Sequence, residues 1–94
     1  MFDIRKTPDG TLAFEGRFDA AQEEKARAAL DGITQTTDLD FAKLQYIASA
    51  GLGILLHAQK RLLAQGHTLR IVNLSPHMRE IFQMVGFDRI FKLE

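Results

Sequence analysis

The sequence predicts an α/β fold: one domain over residues 1–94, with a mixed β-sheet of about five strands backed by three to four helices. Two observations predict it. Short stretches in which apolar and polar residues alternate are interleaved with stretches of helical spacing, giving the order ββαβαβαβ. Glycine and proline stand at the joints between them, where a chain that must turn needs them.

The first two strands are Phe2-Asp3-Ile4 and Leu12-Ala13-Phe14-Glu15, with Pro8-Asp9-Gly10 between them, which reads as a β-hairpin. Asp19 precedes Ala20 to Leu30, a run of strong helix formers, and Gln22 three residues on fits a capping box. Gly32 stands where a left-handed cap commonly closes a helix. This helix is alanine-rich and is expected to lie shallowly on the core. Leu39 to Phe41 reads as a short buried strand, followed by a turn into Ser49. From Ala50 to Gln65 the spacing is helical, with Leu52, Leu55, Leu56 and Leu63 on one face and Gly66 at the end. His67 to Asn73 is a strand with Leu69 and Ile71 on one side. Ser75-Pro76 is an N-cap followed by proline at the first helical position. Met78, Ile81, Phe82 and Val85 then form an amphipathic stripe, Gly86 stops the helix, and Ile90 to Leu93 makes a last short strand.

Composition limits the function classes. Twelve acidic and twelve basic side chains cancel, leaving neither the basic excess that neutralises nucleic-acid phosphates nor a polybasic signature for an anionic membrane surface. Without cysteine there are no disulfides, thiolate nucleophiles or cysteine-based metal sites. No segment approaches the roughly 20 apolar residues of a membrane span. Met1 to Lys6 lacks an apolar run of signal-peptide length, so a cytoplasmic protein is expected.

Few residues combine into chemistry. Ser49 as a nucleophile with His57 as its base fails on distance, since eight helical residues rise about 12 Å. His67 and His77 read as surface or edge residues, and no histidine spacing suits a metal. Gly51-Leu52-Gly53 lacks the third glycine of a dinucleotide fingerprint, because position 56 is leucine. Glu23-Glu24 reads as a solvated helix face near an N-terminus. Neither a catalytic group nor a cofactor is expected. Ser49 has two readings. It is an N-cap that accepts a first-turn N–H, or an accessible hydroxyl among the small residues Ala48, Ala50, Gly51 and Gly53, where free N–H groups favour a phosphate.

Five segments, in this order, resemble the STAS family of bacterial anti-sigma factor antagonists. They are Gly16-Arg17-Phe18-Asp19, Leu39-Asp40, Tyr46-Ile47-Ala48-Ser49-Ala50-Gly51-Leu52-Gly53, Asn73-Leu74-Ser75-Pro76, and Gly86-Phe87-Asp88 with Ile90-Phe91. The resemblance spans about Gly16 to Phe91 and implies a STAS-like fold and a partner switch. Its partner would be an anti-sigma factor that is also a serine protein kinase of the histidine-kinase ATPase type. The unmodified antagonist binds that partner and frees the effector. Phosphorylation of the matching serine blocks binding, and a PP2C-type serine phosphatase restores it. The resemblance makes Ser49 the phosphoacceptor and places Asp19, Ala48, Ala50, Gly51, Leu52 and Gly53 on the partner surface.

The chain departs from the family pattern at Ala48, where an acidic residue often precedes the serine, and at Ala42, where a small polar residue is usual. Two other functions share the fold. One is a non-switching interaction subunit, as in stressosomes and lipid-transport complexes. The other is a small-ligand or nucleotide sensor using the glycine-rich helix start as an anion site.

Overall fold

Pro8-Asp9-Gly10 reverses the chain between β1 (Phe2–Lys6) and β2 (Leu12–Phe18), which pair antiparallel as the hairpin pattern predicts. The computed structural model describes residues 1–94 and continues with α1 (Glu23–Asp31), β3 (Thr37–Ile47), α2 (Ser49–Leu63), β4 (Leu69–Val72), α3 (Pro76–Met84) and β5 (Lys92–Leu93). Single 3-10 turns at Ala20–Gln22 and Phe87–Arg89 precede α1 and β5. The five strands stand in the order β1-β2-β3-β4-β5, and every pairing after the hairpin is parallel. Crossovers of one hand between consecutive strands put all three helices on the same face.

The core lies between that face and the helices. Phe14, Phe18, Phe41 and Phe82 are fully buried and join Phe2, Phe87 and Phe91 in a continuous run of ring contacts, with centroids 4.9–6.1 Å apart. The other face of the sheet is open and polar. Asp38 and Arg70 pair across β3 and β4 there at 2.6 Å, and Arg5 reaches Glu15 at 3.6 Å. The Arg70 guanidinium is held above its ordinary pKa by the hydrogen bond to Asp38, then by the charges of Asp38 and Glu94.

The largest departure from expectation is β3, an eleven-residue strand where Leu39 to Phe41 alone reads as one. Its register against β2 slips twice. Ala13 faces Asp40 but Glu15 faces Lys43, and Gly16 faces Leu44 but Arg17 faces Tyr46. Each slip is a β-bulge that inserts one residue into β3. Burial therefore falls on Leu39, Phe41, Leu44 and Ile47 instead of on alternate residues. The Asp40 carboxylate steadies the first bulge by accepting the Ala42 N–H at 2.9 Å and the Asn73 side-chain amide at 3.2 Å. The bulges carry β3 well past β4 and set its last residue beside the end of β2.

The helices differ from expectation at their ends. Asp19 caps the 3-10 turn by accepting the Ala21 N–H at 3.1 Å, while Gln22 makes no reciprocal bond and α1 starts only at Glu23. Gly32 is right-handed, at φ −76, and not a left-handed cap. Its N–H still donates to Leu30 O, and Arg61 of α2 adds bonds to Leu30 O at 2.9 Å and Ile33 O at 3.0 Å. On α2 the buried stripe is Gly51, Ile54, Leu55, Ala58, Gln59 and Leu62, whereas Leu63 is half-exposed. The Gln59 amide is sealed in the core. It donates to Thr68 Oγ1 and Ile90 O, both at 2.9 Å, and accepts the Leu69 N–H at 2.7 Å. α3 begins as expected, with Ser75 Oγ accepting the Met78 N–H at 3.1 Å. Val85 lies past its end and is exposed, so the buried stripe there is Met78 and Phe82.

Candidate interaction site at the start of α2

β2 and β3 end side by side, with Phe18 opposite Ile47, and the residue after β3 is tied back by Ala48 N–H donating to Phe18 O at 2.9 Å. That bond fixes where α2 can begin. Ala48 holds extended angles, φ −86 and ψ 166, and its carbonyl takes the first helical hydrogen bond, from Leu52 N–H at 3.1 Å. Ala48 is thus the N-cap, and a methyl group cannot cap. Ser49 stands one residue later, at the first helical position, and is exposed. The N-cap reading of Ser49 is corrected accordingly: its hydroxyl has no capping bond to make. The N–H groups of Ser49, Ala50 and Gly51 precede the first bonded turn and point out of the helix end. Together with the helix dipole they favour negative charge beside the serine oxygen.

The two glycines of Gly51-Leu52-Gly53 do different work. Gly51 is buried, and a Cβ there would stand 2.9 Å from Ile47 Cγ1 and 3.2 Å from Phe18 Cδ1. The expected surface role of Gly51 is corrected: its missing side chain lets α2 approach the sheet. Gly53 is exposed, and beyond its own helix backbone nothing lies within 4 Å of a Cβ built on it. Ala48, Ala50 and Leu52 are half-buried, and Leu52 packs against the core edge. Asp19 is half-exposed one residue beyond Phe18, so chain connectivity and the Ala48–Phe18 bond bring it to the same rim as Ser49. The site residues that reach the surface are therefore Asp19, Ala48, Ser49, Ala50, Leu52 and Gly53.

Sequence reasoning did not single out Arg17 and Tyr46. They face each other one step before Phe18 and Ile47, with the Arg17 guanidinium 4.3 Å from the centre of the half-exposed Tyr46 ring. This cation–π pair puts an aromatic surface on the open sheet face next to the serine rim. The signal was present, since both residues lie in the segments Gly16 to Asp19 and Tyr46 to Gly53.

Nothing else converges on Ser49. His57 and His77 are exposed and His67 is half-buried. No group of three His, Cys, Asp or Glu side chains could hold a metal ion. The five surface hollows are lined by the hairpin, by the sheet, and by the segment from the end of α1 to the start of β3, and none includes a residue of α2. No helix is long and apolar enough to cross a membrane.

The chain matches the family described as "Mlab, STAS domain" over residues 2–94. It is 36% identical over 89 residues to the "Putative anti-sigma factor antagonist BtrV" of Bordetella bronchiseptica, an alignment covering 88% of this chain and 77% of that protein. Among solved structures it is similar to the anti-sigma factor antagonist SpoIIAA in its unphosphorylated form, with a TM-score of 0.72 and 25% identity over all of this chain and 87% of that one. The Bacillus cell fate determinant SpoIIAA in the phosphorylated form gives a TM-score of 0.71 and 25% identity over all of this chain and 91% of that one.

Proposed function

The chain belongs to the STAS domain family, of the anti-sigma factor antagonist type, and on that basis we propose that it is a binding module switched by phosphorylation of Ser49. In its unmodified state it sequesters an anti-sigma factor that is also a serine kinase of the histidine-kinase ATPase type, and so releases the effector. The kinase moves the γ-phosphoryl group of ATP onto Ser49 Oγ, the hydroxyl proton leaves and ADP departs. A PP2C-type phosphatase hydrolyses the phosphoserine and restores binding. The chain acts in the cytoplasm and catalyses nothing itself.

One observation carries this reading: the Ser49 hydroxyl is exposed at the first position of α2, free of any capping duty, on a rim of small side chains. The two described states of SpoIIAA, phosphorylated and unphosphorylated, support it by kinship. The physics supports it too. A phosphate adds about −1.5 to −2 charges where the partner must pack closely, and burying that charge unpaired costs several kcal/mol. A penalty of about 1.4 kcal/mol already lowers affinity tenfold. In the free protein the same phosphate sits at a helix N-terminus, which tolerates it, so the modification changes the surface and not the fold.

Incubation with ATP and the kinase it binds, followed by intact-mass analysis, tests the proposal. The expected product carries one phosphoryl group, absent from Ser49→Ala. A chain that binds the kinase and stays unmodified supports the second reading, a non-switching interaction subunit. That reading is favoured by Ala48, which leaves the position before the serine without the family's acidic side chain.

A further inference from the structure

β1 is one edge of the sheet, and its outward side meets no other strand. Its inward side is fixed by two bonds, Arg17 N–H to Met1 O and Thr7 N–H to Thr11 O, both at 2.8 Å. Odd-numbered residues of β1 therefore turn their backbone groups toward β2. Phe2, Ile4 and Lys6 turn theirs outward, a row of donors and acceptors that no strand pairs.

We propose that this edge pairs antiparallel with the same edge of a second copy, about a two-fold axis at Ile4, so that Asp3 faces Arg5 of the partner. The register follows from charge. Outward backbone groups belong to even residues, so a symmetric pairing centres on Asp3, on Ile4 or on Arg5. Centring on Asp3 sets Asp3 against its own copy, and centring on Arg5 does the same for Arg5. Both put like charges directly opposite, which is destabilising. Centring on Ile4 gives two Asp3–Arg5 pairs at positions where no backbone bond intervenes and side chains come closest. The half-buried Ile4, already packed against the core edge, gains its own copy as an apolar neighbour on the helix-covered face. All five residues of β1 then have a complementary or neutral partner.

Lys25 of α1 opposes this pairing. Its Nζ donates to Phe2 O at 3.1 Å and lies 3.4 Å from Asp3 Oδ1, so it occupies part of the edge in the monomer. The association is correspondingly weak and adjustable. The pairing yields a continuous ten-stranded sheet, twice the five of one chain. Because the axis reverses strand direction, the two Ser49 rims point to opposite ends, and each stays open to its own partner. The inference does not depend on what Ser49 does.

Sedimentation equilibrium at protein concentrations up to about 1 mM tests it, with far-UV circular dichroism to confirm folding. The weight-average mass of the wild type should rise with concentration from 10.6 kDa toward twice that value. Arg5→Asp should raise the dissociation constant at least about tenfold, because both ion pairs become repulsions. Adding Asp3→Arg to that variant should recover most of the lost affinity, since both cross-strand pairs are again of opposite charge, although the contacts of Asp3 with Lys25 and of Arg5 with Glu15 are given up. Lys25→Ala should tighten association by freeing the Phe2 carbonyl. A wild type that stays monomeric throughout, or a dimer indifferent to Arg5→Asp, overturns the proposal.

Discussion

The ring of Phe18 lies against the Cα of Gly51, where a methyl group would stand 3.2 Å from both Cδ1 and Cδ2. Phe18 is fully buried and Ile47 Cγ1 closes the other side at 2.9 Å, so neither neighbour can swing into solvent. Gly51→Ala gains about 1 kcal/mol of helix propensity but overpacks the site, which costs about 1–3 kcal/mol. A net loss of about 1 kcal/mol is expected, read as a lower urea midpoint. Unchanged or increased stability would mean that α2 does not sit on Phe18.

Gly53→Ala should act in the opposite sense. The position is helical, exposed and free of neighbours, so alanine should stabilise the fold by about 0.5–1 kcal/mol. If the partner packs on this rim, the same methyl group should weaken partner binding. A titration calorimetry series paired with thermal melts separates the two effects. Tighter binding by the more stable variant would move the interface elsewhere.

Ser49→Asp should weaken partner binding at least about tenfold while leaving the fold intact, because a carboxylate at the first turn of a helix is itself tolerated. Ser49→Ala should bind constitutively, even after exposure to kinase and ATP. Equal retention of both variants in a pull-down removes the switch.

Gln59 is the only polar side chain in the core, and its three hydrogen bonds join α2 to β4 and to the segment before β5. Gln59→Leu keeps the volume but leaves the Leu69 N–H and the Ile90 carbonyl unpartnered in the interior. Each such group costs about 1–3 kcal/mol, so a loss of about 2–4 kcal/mol is expected in chemical denaturation. Amide exchange should accelerate first at Leu69. A loss under about 0.5 kcal/mol would show that these groups find other partners.

Asp9 gives the hairpin a pH dependence. The Thr7 hydroxyl and then the Thr11 N–H donate to its carboxylate, holding its pKa below the ordinary 3.8. A depressed carboxyl contributes stability that is present above the unfolded value and lost as pH falls through the folded one. Wild type should therefore exceed Asp9→Asn in thermal stability at about pH 7, with the gap closing below about pH 4. A gap that persists in acid would assign the turn's stability to its backbone alone.

Elements with local signals could be read from the sequence. Pro8-Asp9-Gly10 and Ser75-Pro76 carry their own turn and cap chemistry, and both stand where expected. β3 could not be read fully, because its bulges space Phe41, Leu44 and Ile47 three apart, a separation that helices also use. Gly32 caps α1 where the sequence places it, but its conformation is right-handed, and the further bonds that Arg61 donates to Leu30 O and Ile33 O come from far along the chain. At the site, residue types marked Ser49, but its offset from the cap follows from the Ala48–Phe18 bond in the sheet. Which glycine faces the core is likewise decided by the angle at which α2 lands on Phe18.

The unbroken strand order has a consequence for how the molecule is made. Each strand pairs with the one laid down just before it, yet every parallel pairing must close a long loop, as when Leu12 meets Leu39 and Leu39 meets Ile71. The hairpin can form first and template the rest stepwise. β5 docks last, through Glu94 N–H to Ile71 O at 2.7 Å and Asn73 N–H to Glu94 O at 3.0 Å. Refolding slower than that of a helical bundle of this length is expected, with final protection arriving at the β4–β5 border.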